Sequence, residues 1–218
     1  MTIAIGLLCT EGAVLLCDSM TVKQTPTGAE GFLSTEGKIG VLPELGLAFV
    51  HSGHGEQPHV DVAGGFEANA RALFAAYAEI PRPVFADTFV GSHRDTEPDP
   101  RELRRISAQE LIVATIPSGR MAFLDLDLER WTEMPRLFIA GAPTTWAIEQ
   151  GLHAVDVPTS LDAAADMAVE IARAFIEHHY AGRTLAAFAA EGIIPPVAFP
   201  LHLIGVAGST VRRKEIVS

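Results

Sequence analysis

Cysteine is nearly absent from this chain: Cys9 and Cys17 are the only two in 218 residues. Two thiols cannot staple a chain of this size, so a disulfide-held fold is excluded and both are expected to be reduced and buried. Cations are outnumbered, 16 Lys+Arg against 27 Asp+Glu, for a formal net charge of −11. No nucleic-acid partner is expected, because binding one would need basic surface to neutralise phosphates. The short charge run at 101–105 reads as solvated surface. Long apolar stretches are missing too. The longest, 3–8, 13–17 and 45–50, fall far short of the roughly 20 residues that cross a bilayer. No basic segment precedes the first of them. No membrane partner is therefore expected, and the chain reads as soluble and cytoplasmic. The glycines lack phosphate-loop spacing, so no nucleotide or other cofactor is called for.

What is present suits a packed domain. Hydrophobic residues make up 48% and charged residues 20%, enough to bury a core, and one domain over 1–218 is expected. Residues 3–8 and 13–18 read as a hairpin about Thr10-Glu11-Gly12. Residues 23–31, holding Pro26, Gly28 and Gly31, read as a loop. A second hairpin joins 38–42 to 45–52 through Pro43-Glu44, and the near-continuous apolarity of these strands predicts sheets covered on both faces. The alanine-rich stretch 60–79 predicts a helix, stopped by Pro81 and Pro83, and 91–105 an exposed loop or the start of a short helix. Residues 110–116 and 121–126 form a third hairpin, and 136–140 a strand. Helices are predicted at 144–153, at 159–180 behind a Thr159/Asp162 capping box, and at 183–190. Strands follow at 199–206 and 210–217. Strands, helix, strands, helices, strands is the order of an α+β domain in which helices cover sheets.

The chemistry gathers at the start. A Thr2 freed of Met1 carries a hydroxyl nucleophile and its own α-amine, whose reference pKa of roughly 7.7–8.0 lets it take a proton near neutrality. One residue can then supply nucleophile and base. Asp18 ends the strand that returns beside Thr2. Lys38 opens the next strand pair and is the only lysine between Lys23 and Lys214. A buried Asp18–Lys38 pair beside Thr2 would favour ionisation of the hydroxyl through the ammonium, with the carboxylate as counter-ion.

At Thr2-Ile3-Ala4-Ile5-Gly6, at Gly12-Ala13-Val14-Leu15-Leu16-Cys17-Asp18-Ser19 and at Gly37-Lys38-Ile39-Gly40-Val41-Leu42, the chain resembles the proteasome β-subunit family. That family, bacterial homologues included, belongs to the N-terminal-nucleophile hydrolases. The resemblance implies a four-layer αββα sandwich, two antiparallel sheets flanked by helices, and a threonine-type peptidase. Thr2 falls on its nucleophile, Asp18 on its acid and Lys38 on its catalytic lysine. Gly53 falls on the glycine whose N–H helps form the oxyanion hole, and His54 would border the substrate pocket. The implied partners are copies of the chain in a ring or other homo-oligomer, a peptide or unfolded-protein substrate, and an ATP-dependent unfoldase. The resemblance is close over the first 55 residues and looser over 112–141 and the long helix.

Two departures qualify it. Where the family has a serine that hydrogen-bonds the N-terminal amine, this chain reads Gly141-Ala142-Pro143-Thr144, leaving Thr144 or Thr145 as substitutes. The family's late Asp and Ser are missing from 191–197, where Glu191 is a poor stand-in. Three functions are thus implied: an active peptidase, a proteasome-like structural subunit without activity, and a small-molecule amidase on the same fold.

Other clusters have plainer readings. His51, His54, Glu56, His59 and Asp61 have zinc-ligand chemistry, but two glycines and a proline make their segment a polar turn, and no metal is expected. Asp125, Asp127 and Glu129 alternate along a strand and read as a solvated face. His178 and His179 suit the negative end of a helix.

Overall fold

The computed structural model describes residues 2–25, 28–52, 57–62, 64–79, 110–116, 120–125, 130–133, 136–141, 144–180, 182–191 and 197–217. One five-stranded antiparallel sheet contains β1 (Ile3–Cys9), β2 (Gly12–Asp18), β10 (Leu137–Gly141), β11 (Leu201–Ala207) and β12 (Thr210–Ile216), in the order β10-β1-β2-β11-β12. The second, also antiparallel, runs in chain order through β5 (Ile39–Leu42), β6 (Leu47–Ser52), β7 (Glu110–Thr115), β8 (Met121–Asp125) and β9 (Arg130–Glu133). A separate hairpin is built from β3 (Met20–Thr25) and β4 (Gly28–Leu33). Among the described residues the α-helices are α1 (Phe66–Glu79), α2 (Thr144–Glu149), α3 (Leu161–Tyr180) and α4 (Leu185–Ala190).

The period-two alternation of strand side chains sorts the core into three slabs. Ile3, Ile5, Leu7, Val14 and Leu16 pack against Ala164, Ala168, Ile171 and Phe175 of α3. Their neighbours Ala4, Ala13, Leu15 and Cys17 turn the other way and meet Ala48, Val50, Ile112 and Ala114 of the second sheet. Leu47, Phe49, Leu111 and Val113 then face Ala70, Leu73 and Tyr77 of α1. Helix, sheet, sheet, helix is the resulting layer order. Each inner strand is buried on both faces, which is why it reads as an unbroken apolar run. The middle slab mixes alanines with Leu15, Ile112, Met121 and Ile204, and a Cβ on Gly6 would come within 2.8 Å of Ile112. Phe123 and Phe138 stack across it, ring centres 3.9 Å apart. Leu16, fully buried against α3, gives a direct check: Leu16→Ala is expected to lower unfolding free energy by about 2–5 kcal/mol in urea titrations.

Several sequence expectations are corrected. The 23–31 loop is corrected to strand: residues 23–25 belong to β3 and 28–31 to β4, whose register closes at Thr25↔Gly28, while Pro26 lies outside the described residues. The helix predicted from residue 60 begins at Phe66, because Gly64 and Gly65 hold φ of +92° and +75° just ahead of it. The long helix is capped by Ser160, whose Oγ accepts the Ala163 N–H at 3.3 Å, and not by Thr159. The Thr159 carbonyl is taken by the Thr10 N–H, and the Glu11 carboxylate accepts the Leu161 N–H at 2.8 Å. The β1–β2 turn is thereby fastened to the start of α3. Strand β9 lacked an apolar run and was not anticipated. The 91–105 loop lies outside the described residues. No helix among the described residues is long and apolar enough to cross a membrane.

Candidate functional site

Thr2 stands immediately before β1 and is buried. The β1–β2 register, Ala4↔Cys17, puts Asp18 across from the start of β1. Asp18 is fully buried, and its carboxylate is saturated. Oδ1 accepts the Ile3 N–H at 2.9 Å; Oδ2 accepts the Met20 N–H at 2.8 Å and the Ala198 N–H at 3.3 Å.

Lys38 comes from the other sheet, just ahead of β5, and reaches across the sandwich. Its Nζ lies 3.2 Å from Asp18 Oδ1 and 3.3 Å from the Asp18 carbonyl, and it also donates to the Met20 carbonyl. Asp18 and Lys38 are therefore in contact, one from each sheet, beside the peptide group that follows Thr2. A buried ammonium and carboxylate are tolerable only when paired and hydrogen-bonded, and here both conditions are met. Cys17, next in line, is no rival nucleophile. Burial pushes its thiol far up, against the pull of Lys38 and with a further push from Asp18, so it remains a neutral thiol.

The opposite wall was not anticipated. Ser52 ends β6 and pairs with Glu110 at the head of β7. The Glu110 carboxylate crosses between the sheets to accept the Gly141 N–H at 2.5 Å. Gly141 sits at φ +81°, and a Cβ there would lie 2.0 Å from the Thr2 carbonyl oxygen and 2.7 Å from Ser52 Oγ. Glycine is the residue that allows this approach. Gly141→Ala is expected to cost at least about 1–3 kcal/mol in denaturation and to displace Thr2. Only an acidic residue heading an apolar strand hinted at Glu110; its partner lies on a strand distant in sequence.

The Thr144 hydroxyl bonds the Gly141 carbonyl at 2.9 Å and lies 3.4 Å from that of Ile139. Thr145 belongs to α2, and Glu191 pairs with Arg183 at 2.5 Å on the surface. Gly53 and His54 lie outside the described residues, as do Glu56, Asp127 and Glu129. Among the described residues no group of three or more His, Cys, Asp or Glu is arranged to hold a metal. His51 is buried and stacked on Tyr77, while His59 Nε2 lies 3.6 Å from Asp61 Oδ1, both side chains exposed.

No family model matches the chain, and no curated protein matches it in sequence. Its fold is nevertheless similar to a solved one. A Gly-1 mutant of Anbu, a bacterial proteasome-like protein, from Hyphomicrobium sp. strain MC1, superposes with a TM-score of 0.54 at 14% identity, over all of this chain and 88% of that one. The likeness establishes the α+β sandwich and extends no further than the fold.

Proposed function

We propose that the chain is an N-terminal-threonine amide hydrolase of the proteasome type. One observation carries this reading: the buried Asp18–Lys38 pair, assembled from two sheets at the Thr2 end of β1. Once whatever precedes Thr2 is removed, its α-amine becomes a base next to its own hydroxyl. Thr2 Oγ attacks a peptide carbonyl. The amine takes the hydroxyl proton, and the Lys38 ammonium, seated on Asp18, stabilises the anionic oxygen. The C–N bond breaks, the amine leaves with that proton, and water then splits the acyl-threonine ester. The reading extends to Gly53 as oxyanion donor, His54 at the pocket and a homo-oligomer that encloses a peptide substrate, all within one domain.

The fate of Thr144 and Glu191 favours a second reading. The Thr144 hydroxyl bonds the Gly141 carbonyl and the Glu191 carboxylate pairs with Arg183, and on this reading neither replaces the amine-tuning serine and acid. A proteasome-like subunit that keeps the sandwich without cleaving anything answers to that. The two readings separate in an assay of two preparations on fluorogenic peptides, one with Thr2 free and one with a residue retained before it, each verified by intact mass. Hydrolysis confined to the free-Thr2 preparation supports the hydrolase; none in either supports the structural subunit. Equal hydrolysis in both contradicts the mechanism.

A further inference from the structure

The chain has two tyrosines, Tyr77 and Tyr180, on opposite outer helices, and each hydroxyl bonds a main-chain group beside the ion pair. Tyr77 of α1 donates to the Gly37 carbonyl at 2.9 Å, in the peptide bond leading into Lys38. Its ring is fixed by a stack on His51 at 3.9 Å and an edge contact with Phe49 at 6.1 Å. The backbone N–H of that same His51 holds the Lys38 carbonyl at 2.6 Å, and the Lys38 N–H bonds Thr35. Both carbonyls flanking Lys38 are thus held, one by a side chain from the helix layer.

Tyr180, the last residue of α3, donates to the Val197 carbonyl. That carbonyl and the Ala198 N–H belong to one peptide bond, and the Ala198 N–H is the one Asp18 Oδ2 accepts. Burial pushes both phenols up, Tyr180 to about 12 with a smaller push from Asp18, so both hydroxyls stay protonated donors at physiological pH.

We infer that Tyr77 and Tyr180 are positioning residues. Each outer helix anchors the peptide that places its own sheet's half of the Asp18–Lys38 pair. The inference rests on the proposed hydrolase for its catalytic meaning, while the anchoring itself is a matter of structure. A salt bridge spanning two sheets keeps its length only if both backbones are held, and a displacement near 1 Å at a catalytic group costs rate steeply.

The test uses the full chain with [13Cε]lysine. Only Lys23, Lys38 and Lys214 contribute signals; Lys38 is buried against the Asp18 carboxylate and Lys214 is exposed, and Lys38→Met identifies the Lys38 signal by its loss. Tyr77→Phe and Tyr180→Phe each remove one hydroxyl and keep the ring. Each is expected to move the Lys38 signal by more than its linewidth, leaving Lys23 and Lys214 in place, while Ile171→Val in α3 moves none of the three. A Lys38 signal that superposes on wild type overturns the role of that tyrosine. A second readout needs no variant: with labelled tyrosine, both hydroxyl protons are expected to exchange slowly, and fast exchange at either counts against it. Peptidase kinetics form a separate arm. Each variant is expected to lose about tenfold in kcat with KM unchanged. A silent wild type would remove the hydrolase reading, while the lysine signal would still decide the anchoring.

Discussion

Thr2→Ala is expected to abolish peptide hydrolysis, a loss of at least ~10^3-fold, since removing a nucleophile leaves only what binding and oxyanion stabilisation can do. Thr2→Ser, which keeps hydroxyl and amine, is expected to retain measurable turnover. Lys38→Ala is expected to lose roughly 10^2–10^4-fold, in the range of a positioned proton-transfer group. The pattern across the three matters more than any single value. A scaffold site would show no difference among them, and a nucleophile elsewhere would leave Thr2→Ala active. Circular dichroism on each variant separates loss of chemistry from loss of fold.

Asp18→Ala carries the largest expected effect on stability. Four donors converge on that carboxylate: three backbone N–H groups and the Lys38 ammonium. Deleting it strands a buried cation, which costs about 3–5 kcal/mol when one partner of a buried pair is removed. For a chain of this length that corresponds to a fall in Tm of roughly 6–20 °C. Lys38→Met, which removes the ammonium and substitutes an apolar chain of similar reach, is expected to cost less, because the carboxylate keeps its three N–H partners. Asp18→Ala within 1 kcal/mol of wild type in urea titration would mean that the pair is not a structural keystone.

How much of this was legible follows from how far apart in sequence the partners lie. Thr2 and Asp18 are joined by one tight hairpin, so their proximity could be read from two apolar runs and a turn. Lys38 could be singled out because lysine is so scarce, and family resemblance placed it. That the sheets are covered on both faces was legible through strands apolar on both faces; the four-layer order came from the family resemblance. By contrast Glu110 and Gly141 meet across two sheets, and Tyr77 and Tyr180 act from helices on opposite outer faces. No local pattern records such contacts. The β3–β4 hairpin was missed for a different reason: β3 is largely polar and β4 carries two glycines, and with no apolar alternation to frame them the Pro26, Gly28 and Gly31 of the sequence read as a loop. Ser160 displaced Thr159 as helix cap because the Thr159 backbone was drawn into a contact with Thr10 that sequence alone does not reveal.

The central claim is that Thr2, with a free amine, forms the acyl-enzyme. It is tested most directly by trapping that ester with a slowly deacylating activated peptide ester and locating the acyl group by intact mass and peptide mapping. The account predicts one acyl group per chain, on Thr2, in the preparation whose Thr2 is N-terminal, and none where a residue precedes it. An acyl group on any other side chain, or none at all on a free Thr2, would contradict it.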